Sequence, residues 1–241
     1  SKKVLMSLLA MSCVYLGGTS AWPMAEAATL VTSADQNITL PSTGDKTQEF
    51  SDINKVYSGD KQVVYLLNAA GDPDRKAIFS GTSTVIANNG TNSKQLTALT
   101  AYDGAMVELN ADLTDLSAVS SKNGVSVIAV VNTSGDNYGS VIKFNSVETK
   151  INAEAVGTAT GVYNEKYSAA QFSEATVSNI TAKSQKNDAY ALVNGGKTII
   201  NGTVNLKAAT DIGDAMGLVG RYESAGFEWV RVGGTVTTSA E

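Results

Sequence analysis

The chain has 241 residues, a formal charge of -5 and a pI near 4.9, with Gly 22 against Pro 3. That acidic balance argues against a nucleic-acid partner, whose footprint needs clustered Lys and Arg. Histidine is absent and Cys13 is the only cysteine. A mature chain without its first segment therefore has no Ser-His-Asp or Cys-His nucleophile, no His-ligated zinc and no cysteine-metal cluster.

Residues 1–27 read as a secretory signal helix: Lys2 and Lys3 form a basic start, 4–16 an apolar run, and Ala25-Glu26-Ala27 a small-x-small site for cleavage between Ala27 and Ala28. A membrane-spanning helix would need about 20 apolar residues, and Gly17-Gly18 interrupts this run. Cys13 does not follow a lipid-attachment box, because Ala10 stands where a Leu would open it. Residues 28–60 are polar, with turn signals at Pro41-Ser42 and Gly44-Asp45, and are expected to form an N-terminal cap or opening segment.

From residue 61 to 241 the chain repeats. First strands are predicted at 63–67, 96–99, 127–131, 160–162, 189–193 and 215–219. Their last residues, Leu67, Leu99, Val131, Val162, Val193 and Val219, recur about every 30 residues. Each is followed by a turn rich in Gly, Asp, Asn or Ser and by a second strand, at 77–86, 105–116, 140–151, 170–180, 197–206 and 227–237. The fifth copy shows the pattern best: Thr198, Ile200, Gly202, Val204 and Leu206 share one side of the pleat, and Ile199, Asn201, Thr203 and Asn205 the other.

Small pairs interrupt the second strands at Ser80-Gly81, Asn145-Ser146, Asn201-Gly202 and Gly233-Gly234, with Phe79, Phe144, Phe172, Ile200 and Val232 at or just before the bend. Such residues let a strand turn a corner while the large apolar neighbour fills the interior. A single copy cannot bury its apolar face alone, so the copies are expected to stack as an all-β parallel β-helix, or β-solenoid. A β-sandwich with frequent turns is the competing architecture, although it gives no reason for anchors to recur at this spacing.

The signal segment followed by Gly-, Asn- and Thr-rich repeats such as INGTVNL and VGGTVTT, over about residues 60–241, resembles the passenger region of a bacterial autotransporter. The resemblance implies a right-handed parallel β-helix displayed at the outer membrane or cell surface of a Gram-negative bacterium, adhesin-like and without catalysis or cofactor of its own. Its partner would be a host or neighbouring cell-surface protein or glycan. The family's C-terminal translocator barrel would appear as about a dozen alternating strands and is not among these residues, so 61–241 is expected to be a solenoid truncated at its C-terminus. The alternatives are a polysaccharide-cleaving β-helix enzyme, either a lyase or a glycoside hydrolase, and a secreted β-sandwich binding module.

Candidate sites follow from exposed chemistry. Among the aromatic residues, Tyr138 and Tyr167 lie in the variable turns and are the expected binding positions, whereas Tyr65 and Tyr190 occupy first strands and belong to the wall. Asn68, Asn132 and Asn194 end first strands and are expected to form a stacked ladder rather than a ligand site. The Gly71-Asp72-Pro73-Asp74-Arg75 turn could offer oxygen ligands to Ca2+, but it lacks the rest of a calcium-loop series and is read as a solvated turn. Asp211, Asp214 and Arg221, with Glu223 and Glu228, are the set that an enzymatic reading would use; the alternative is a polar turn.

Overall fold

The computed structural model describes residues 36–39, 46–57, 64–67, 75–90, 95–135, 138–221 and 229–241. The expected signal helix, the Ala27-Ala28 cleavage site, Asn68, the acidic part of the 71–75 turn, Glu223 and Glu228 lie outside the described residues. All regular elements among the described residues are strands.

Along the chain, β1 (Gln36–Thr39), β2 (Thr47–Ser51) and β3 (Asn54–Tyr57) make the first rung. Next come β4 (Val64–Leu67), β5 (Lys76–Ser80) and β6 (Ser83–Asn88). The short β7 (Gln95–Leu96) precedes β8 (Leu99–Tyr102), β9 (Met106–Leu109) and β10 (Leu113–Ser120). The following rung is β11 (Ser126–Asn132), β12 (Val141–Phe144) and β13 (Glu148–Ala155). After it come β14 (Ala159–Asn164), β15 (Ala169–Phe172) and β16 (Val177–Ser184). Above these lie β17 (Ala189–Asn194), β18 (Lys197–Ile200) and β19 (Thr203–Thr210). The last rung is β20 (Ala215–Gly220), β21 (Trp229–Val232) and β22 (Thr235–Ala240).

These strands stack into three sheets. The first is β1-β4-β8-β11-β14-β17-β20, with β7 also beside β11; the second is β2-β5-β9-β12-β15-β18-β21; the third is β3-β6-β10-β13-β16-β19-β22. Pairing is parallel, with Val127 opposite Ala159, Ala159 opposite Ala189, and Ala189 opposite Ala215. The segments anchored on Val131 and Val193 thus run in the same direction within one sheet. The architecture is a parallel β-solenoid, and the sandwich alternative is excluded.

The expected corners are present, and they divide the second strands. Each bent second strand is two strands in two different sheets: 140–151 becomes β12 and β13, and 197–206 becomes β18 and β19. The small residues at the bend are the corner itself. Without a bulky side chain there, the backbone can turn while the strands on either side keep pairing with the rungs above and below.

The interior is built of columns, each running up one register position. In the second sheet Phe50, Phe79, Leu109, Phe144, Phe172, Ile200 and Val232 follow one another. Phe144 and Phe172 stack with ring centroids 4.6 Å apart and an interplanar angle of 6°, close to the strand spacing that parallel pairing imposes. The third sheet carries Ile86, Leu116, Ile151, Ile180 and Leu206 in one column and Ala118, Ala153, Ala182 and Ala208 in the next. Small against large lets facing walls interdigitate at interior packing density.

Gly161 shows how close the walls come. A Cβ there would lie 2.5 Å from Ile180 Cγ2 and 2.6 Å from the Ala191 carbonyl oxygen. Its column neighbours are Ala129 and Ala191, both fully buried. A larger residue at Gly161 would press on the third sheet through Ile180 and on the next rung of its own sheet through Ala191.

The two ends of the stack differ. Phe50 in the first rung is 4% exposed, whereas Leu218 and Val232 in the last are 38% and 51% exposed. In the first rung the inward position over Ile86 is taken by Lys55, whose burial lowers its ammonium pKa.

Candidate functional site

Because the interior is filled by side chains, function must reside on the outer faces and at the corners. The corner between the first and second sheets carries the most variable turns: residues 133–140 after β11 and 165–168 after β14, but only Gly195-Gly196 after β17. The strands on either side are fixed by the ladder, so loop length can change here without disturbing the core.

Tyr138 and Tyr167 project from consecutive copies of this corner and are 51% and 53% exposed. Their backbone positions are specified. Gly135 N–H donates to the Tyr138 carbonyl at 3.2 Å, Ser168 N–H to the Glu165 carbonyl at 3.1 Å, and Ala169 N–H to the Ser140 carbonyl at 2.8 Å, tying one turn to the next. Thr133 Oγ1 also donates to the Glu165 carboxylate. Tyr167 has φ +64°, a left-handed conformation that a bulky side chain rarely adopts. The strained turn points its ring outward, and the Lys166 ammonium lies 4.8 Å from the ring centroid. Asp136 and Asn137, between the two ends of the Tyr138 turn, lie outside the described residues.

The sequence reading missed a second aromatic-cation pair near this corner. Tyr163, in β14, accepts a hydrogen bond from Arg221, which follows β20 two rungs away, and the guanidinium carbon is 5.9 Å from the ring centroid. Alignment of the anchors would have placed Tyr163 and Val193 in one column, since they are register partners. It could not have shown that Arg221 reaches across Val193.

This arrangement breaks up the proposed acidic set. Asp211 and Asp214 sit at the corner between the third and first sheets, while Arg221 lies beyond the other end of β20. Six strand residues rising about 3.3 Å each separate the two corners by roughly 20 Å. Arg221 therefore cannot share a site with Asp214. Asp214 instead donates its backbone N–H to Asp188 Oδ1 at 3.0 Å, and Tyr190 donates its hydroxyl to Asp188 Oδ2 at 2.7 Å. The Asp214 amide is the main cause, with the Tyr190 hydroxyl, of the lowered Asp188 pKa. The Asp188 carboxylate conversely pushes the Tyr190 phenol up to about 12. These residues hold two rungs together, and Tyr190 belongs to the wall. Among the described residues no three acidic side chains converge as a metal site would require.

The expected asparagine ladder is present at Asn132 and Asn194, and the structure adds Asn164 between them. Asn132 Nδ2 donates to Asn164 Oδ1 at 2.8 Å and to the Ala169 carbonyl at 2.9 Å. Asn164 Nδ2 donates to Asn194 Oδ1 at 2.9 Å and to the Lys197 carbonyl at 2.9 Å. All three are buried, so their amides serve the adjoining turns and are closed to a ligand. The anchor strand of that copy, predicted to end at Val162, extends through Tyr163, the register partner of Val193, which puts Asn164 at the ladder position.

Compared with known protein families, curated proteins and solved structures, the chain matches none.

Proposed function

We propose that the protein is an exported, surface-displayed passenger: a right-handed β-helix with rungs of about 30 residues that holds adhesive turns away from the cell. The observation carrying this reading is that a closed apolar interior supports paired outward tyrosines, Tyr138 and Tyr167, on consecutive turns of one corner. Exposed tyrosines offer a flat apolar face and a polar tip at low entropic cost, which suits contact with a host or neighbouring cell-surface protein or glycan. In this reading residues 1–27 direct export, a C-terminal translocator barrel serves display, and the passenger performs no catalysis and carries no cofactor.

Two measurements test it. N-terminal sequencing of the protein recovered from intact cells should begin at Ala28, and the solenoid should be open to protease added outside; a cytoplasmic chain retaining residues 1–27 overturns the export step. Binding of the purified protein to panels of glycans and cell-surface proteins should fall about tenfold, a loss of ~1.4 kcal/mol, in Tyr138→Ala/Tyr167→Ala with an unchanged unfolding midpoint. Unchanged binding, or turnover of any polysaccharide on the panel, overturns the adhesive assignment.

A further inference from the structure

The chain contains four Asn-Gly steps, at Asn89-Gly90, Asn123-Gly124, Asn194-Gly195 and Asn201-Gly202. An asparagine followed by glycine can rearrange without an enzyme, because the next residue has no side chain to block ring closure. The backbone nitrogen of the glycine, deprotonated by hydroxide from solvent, attacks the carboxamide carbon. The new N–Cγ bond forms as the Cγ–Nδ2 bond breaks; the departing nitrogen takes a proton from water and leaves as ammonia. Water then opens the resulting succinimide at either carbonyl, giving aspartate or isoaspartate. The reaction needs a glycine nitrogen that is not committed to a hydrogen bond, a mobile carboxamide, and room for the ring.

We propose that Asn123 is a site of spontaneous deamidation in the folded protein, and that the solenoid suppresses the same reaction at Asn194 and Asn201. Residues 121–124 are all exposed, in the turn between β10 and β11. The turn is closed by two long contacts, Val125 N–H to the Lys122 carbonyl at 3.4 Å and Lys122 N–H to Ser120 Oγ at 3.3 Å. Gly124 has φ +78°, and a Cβ built on it meets nothing within 4 Å. The exposed carboxamide and the open space at Gly124 leave room for Gly124 N to approach Asn123 Cγ.

The other two steps are held by the stack: Asn194 is buried, and Asn201, although its side chain is exposed, is followed by a buried glycine. At Asn194, the attacking nitrogen of Gly195 already donates to the Asn164 carbonyl at 2.6 Å. The Asn194 carboxamide is held as well: Oδ1 accepts from Asn164 Nδ2 at 2.9 Å and from Thr198 Oγ1 at 2.8 Å, while Nδ2 donates to the Gly196 carbonyl at 3.0 Å. At Asn201 the backbone is clamped from both neighbouring rungs, with Asn201 N–H on the Phe172 carbonyl at 2.9 Å and the Gly202 carbonyl accepting from Thr235 N–H at 3.0 Å. Gly202 is also buried, and a Cβ there would meet the Thr176 carbonyl oxygen at 2.5 Å. Both steps must open locally before they can react. Asn89 is exposed as well, but Gly90 beside it is buried and Asn89 N–H donates to the Tyr57 carbonyl at 2.7 Å.

Conversion at Asn123 replaces a neutral amide by a carboxylate next to Lys122 and takes the formal charge from -5 to -6. Because the turn lies outside the ladder of rungs, the fold survives the change. The experiment ages the purified protein at mildly alkaline pH, in buffer and in urea, and follows each Asn-Gly step by peptide mapping with a protease that does not cut at Lys122. In urea all steps should convert at similar rates. In buffer Asn123 should keep its urea rate to within a few-fold, while Asn194 and Asn201 slow by at least about tenfold, since several hydrogen bonds must open first. The more acidic form seen by ion exchange should be absent from Asn123→Gln. Slowing at Asn123 equal to that at Asn194, or conversion of Asn194 or Asn201 as fast as Asn123 in buffer, overturns the proposal.

Discussion

Asn132 and Asn164 are joined amide to amide across one rung, Nδ2 to Oδ1 at 2.8 Å, and the same bond is repeated from Asn164 to Asn194. The ladder has a direction: each carboxamide donates to the rung that follows. Its lower end is therefore left incomplete. Ala101 is the register partner below Asn132, and Asn132 Oδ1 finds no donor. The ladder's effect on stability should depend on position. Asn164→Ala removes one of the two donors to Asn194 Oδ1, which keeps Thr198 Oγ1, and the side-chain donor to the Lys197 carbonyl above it, and leaves an Asn132 N–H below it without its acceptor. At about 1–3 kcal/mol for the unpaired N–H and about 0.5–1.5 kcal/mol for each bond lost from a group that keeps another partner, a loss of roughly 2–4 kcal/mol is expected. Asn132→Ala should cost less, about 1–2 kcal/mol, because it also removes an acceptor that is already unpaired. Urea unfolding midpoints of the two variants measure the difference, and equal losses would contradict a directional ladder.

The phenylalanine column makes a second graded prediction. Phe144 is enclosed on both sides by Leu109 and Phe172, so Phe144→Ala removes a stacked ring and leaves a cavity that paired strands cannot collapse. The expected cost is about 3–5 kcal/mol. Val232 occupies the same column in the last rung but is half exposed, and Val232→Ala should change stability by only about 0.5 kcal/mol. A calorimetric scan of both variants measures the two losses, and a Val232→Ala loss as large as that of Phe144→Ala would contradict an open end to the column.

Much of this column was legible in the amino-acid sequence because a strand's period of two cannot shift without exposing its core. Thr198, Ile200, Val204 and Leu206 are all buried, as their alternation predicts. The division into three sheets was harder to read. Corners such as Asn201-Gly202 interrupt the alternation by only two residues, which a single bent strand also explains. The outward site was only partly legible. Turn composition identified Tyr138 and Tyr167 as exposed, but contacts such as Arg221 with Tyr163 depend on which side chain leans across a rung, and no local pattern encodes that.

Gly161 tests the separation between walls. In Gly161→Ala the new methyl meets both a side chain, Ile180 Cγ2, and the Ala191 carbonyl. Overpacking of this kind costs about 1–3 kcal/mol. Truncating Ile180 should relieve only part of it, because the backbone oxygen cannot rotate away. A double-mutant cycle of Gly161→Ala with Ile180→Ala should show favourable coupling of less than the full Gly161→Ala loss. Complete rescue would mean that the side chain alone sets the spacing.

Two carboxylates on the outer faces should make opposite contributions to the pH dependence of stability. Burial alone would raise the Glu108 pKa, but it lies between Lys143 at 3.0 Å and Lys76 at 3.5 Å, and together they bring it below the usual value. For this group the folded state releases its proton more readily than the unfolded chain. Its stabilisation is present above the unfolded pKa of about 4.3 and is lost as pH falls through the lower folded value. Asp115 has the opposite sign: burial, aided by Glu148 and opposed by Lys150, raises its pKa. Its ionisation therefore costs stability at neutral pH, and that cost is removed as pH falls from the raised folded value through the unfolded value near 3.9. Both side chains are partly solvated, so each effect should stay below about 1 kcal/mol. At neutral pH Glu108→Gln should lower the melting temperature and Asp115→Asn should raise it, with both differences shrinking towards zero in acid. Thermal unfolding followed by circular dichroism from neutral to acid pH measures both, and a shift of the same sign in the two variants would refute the assignment.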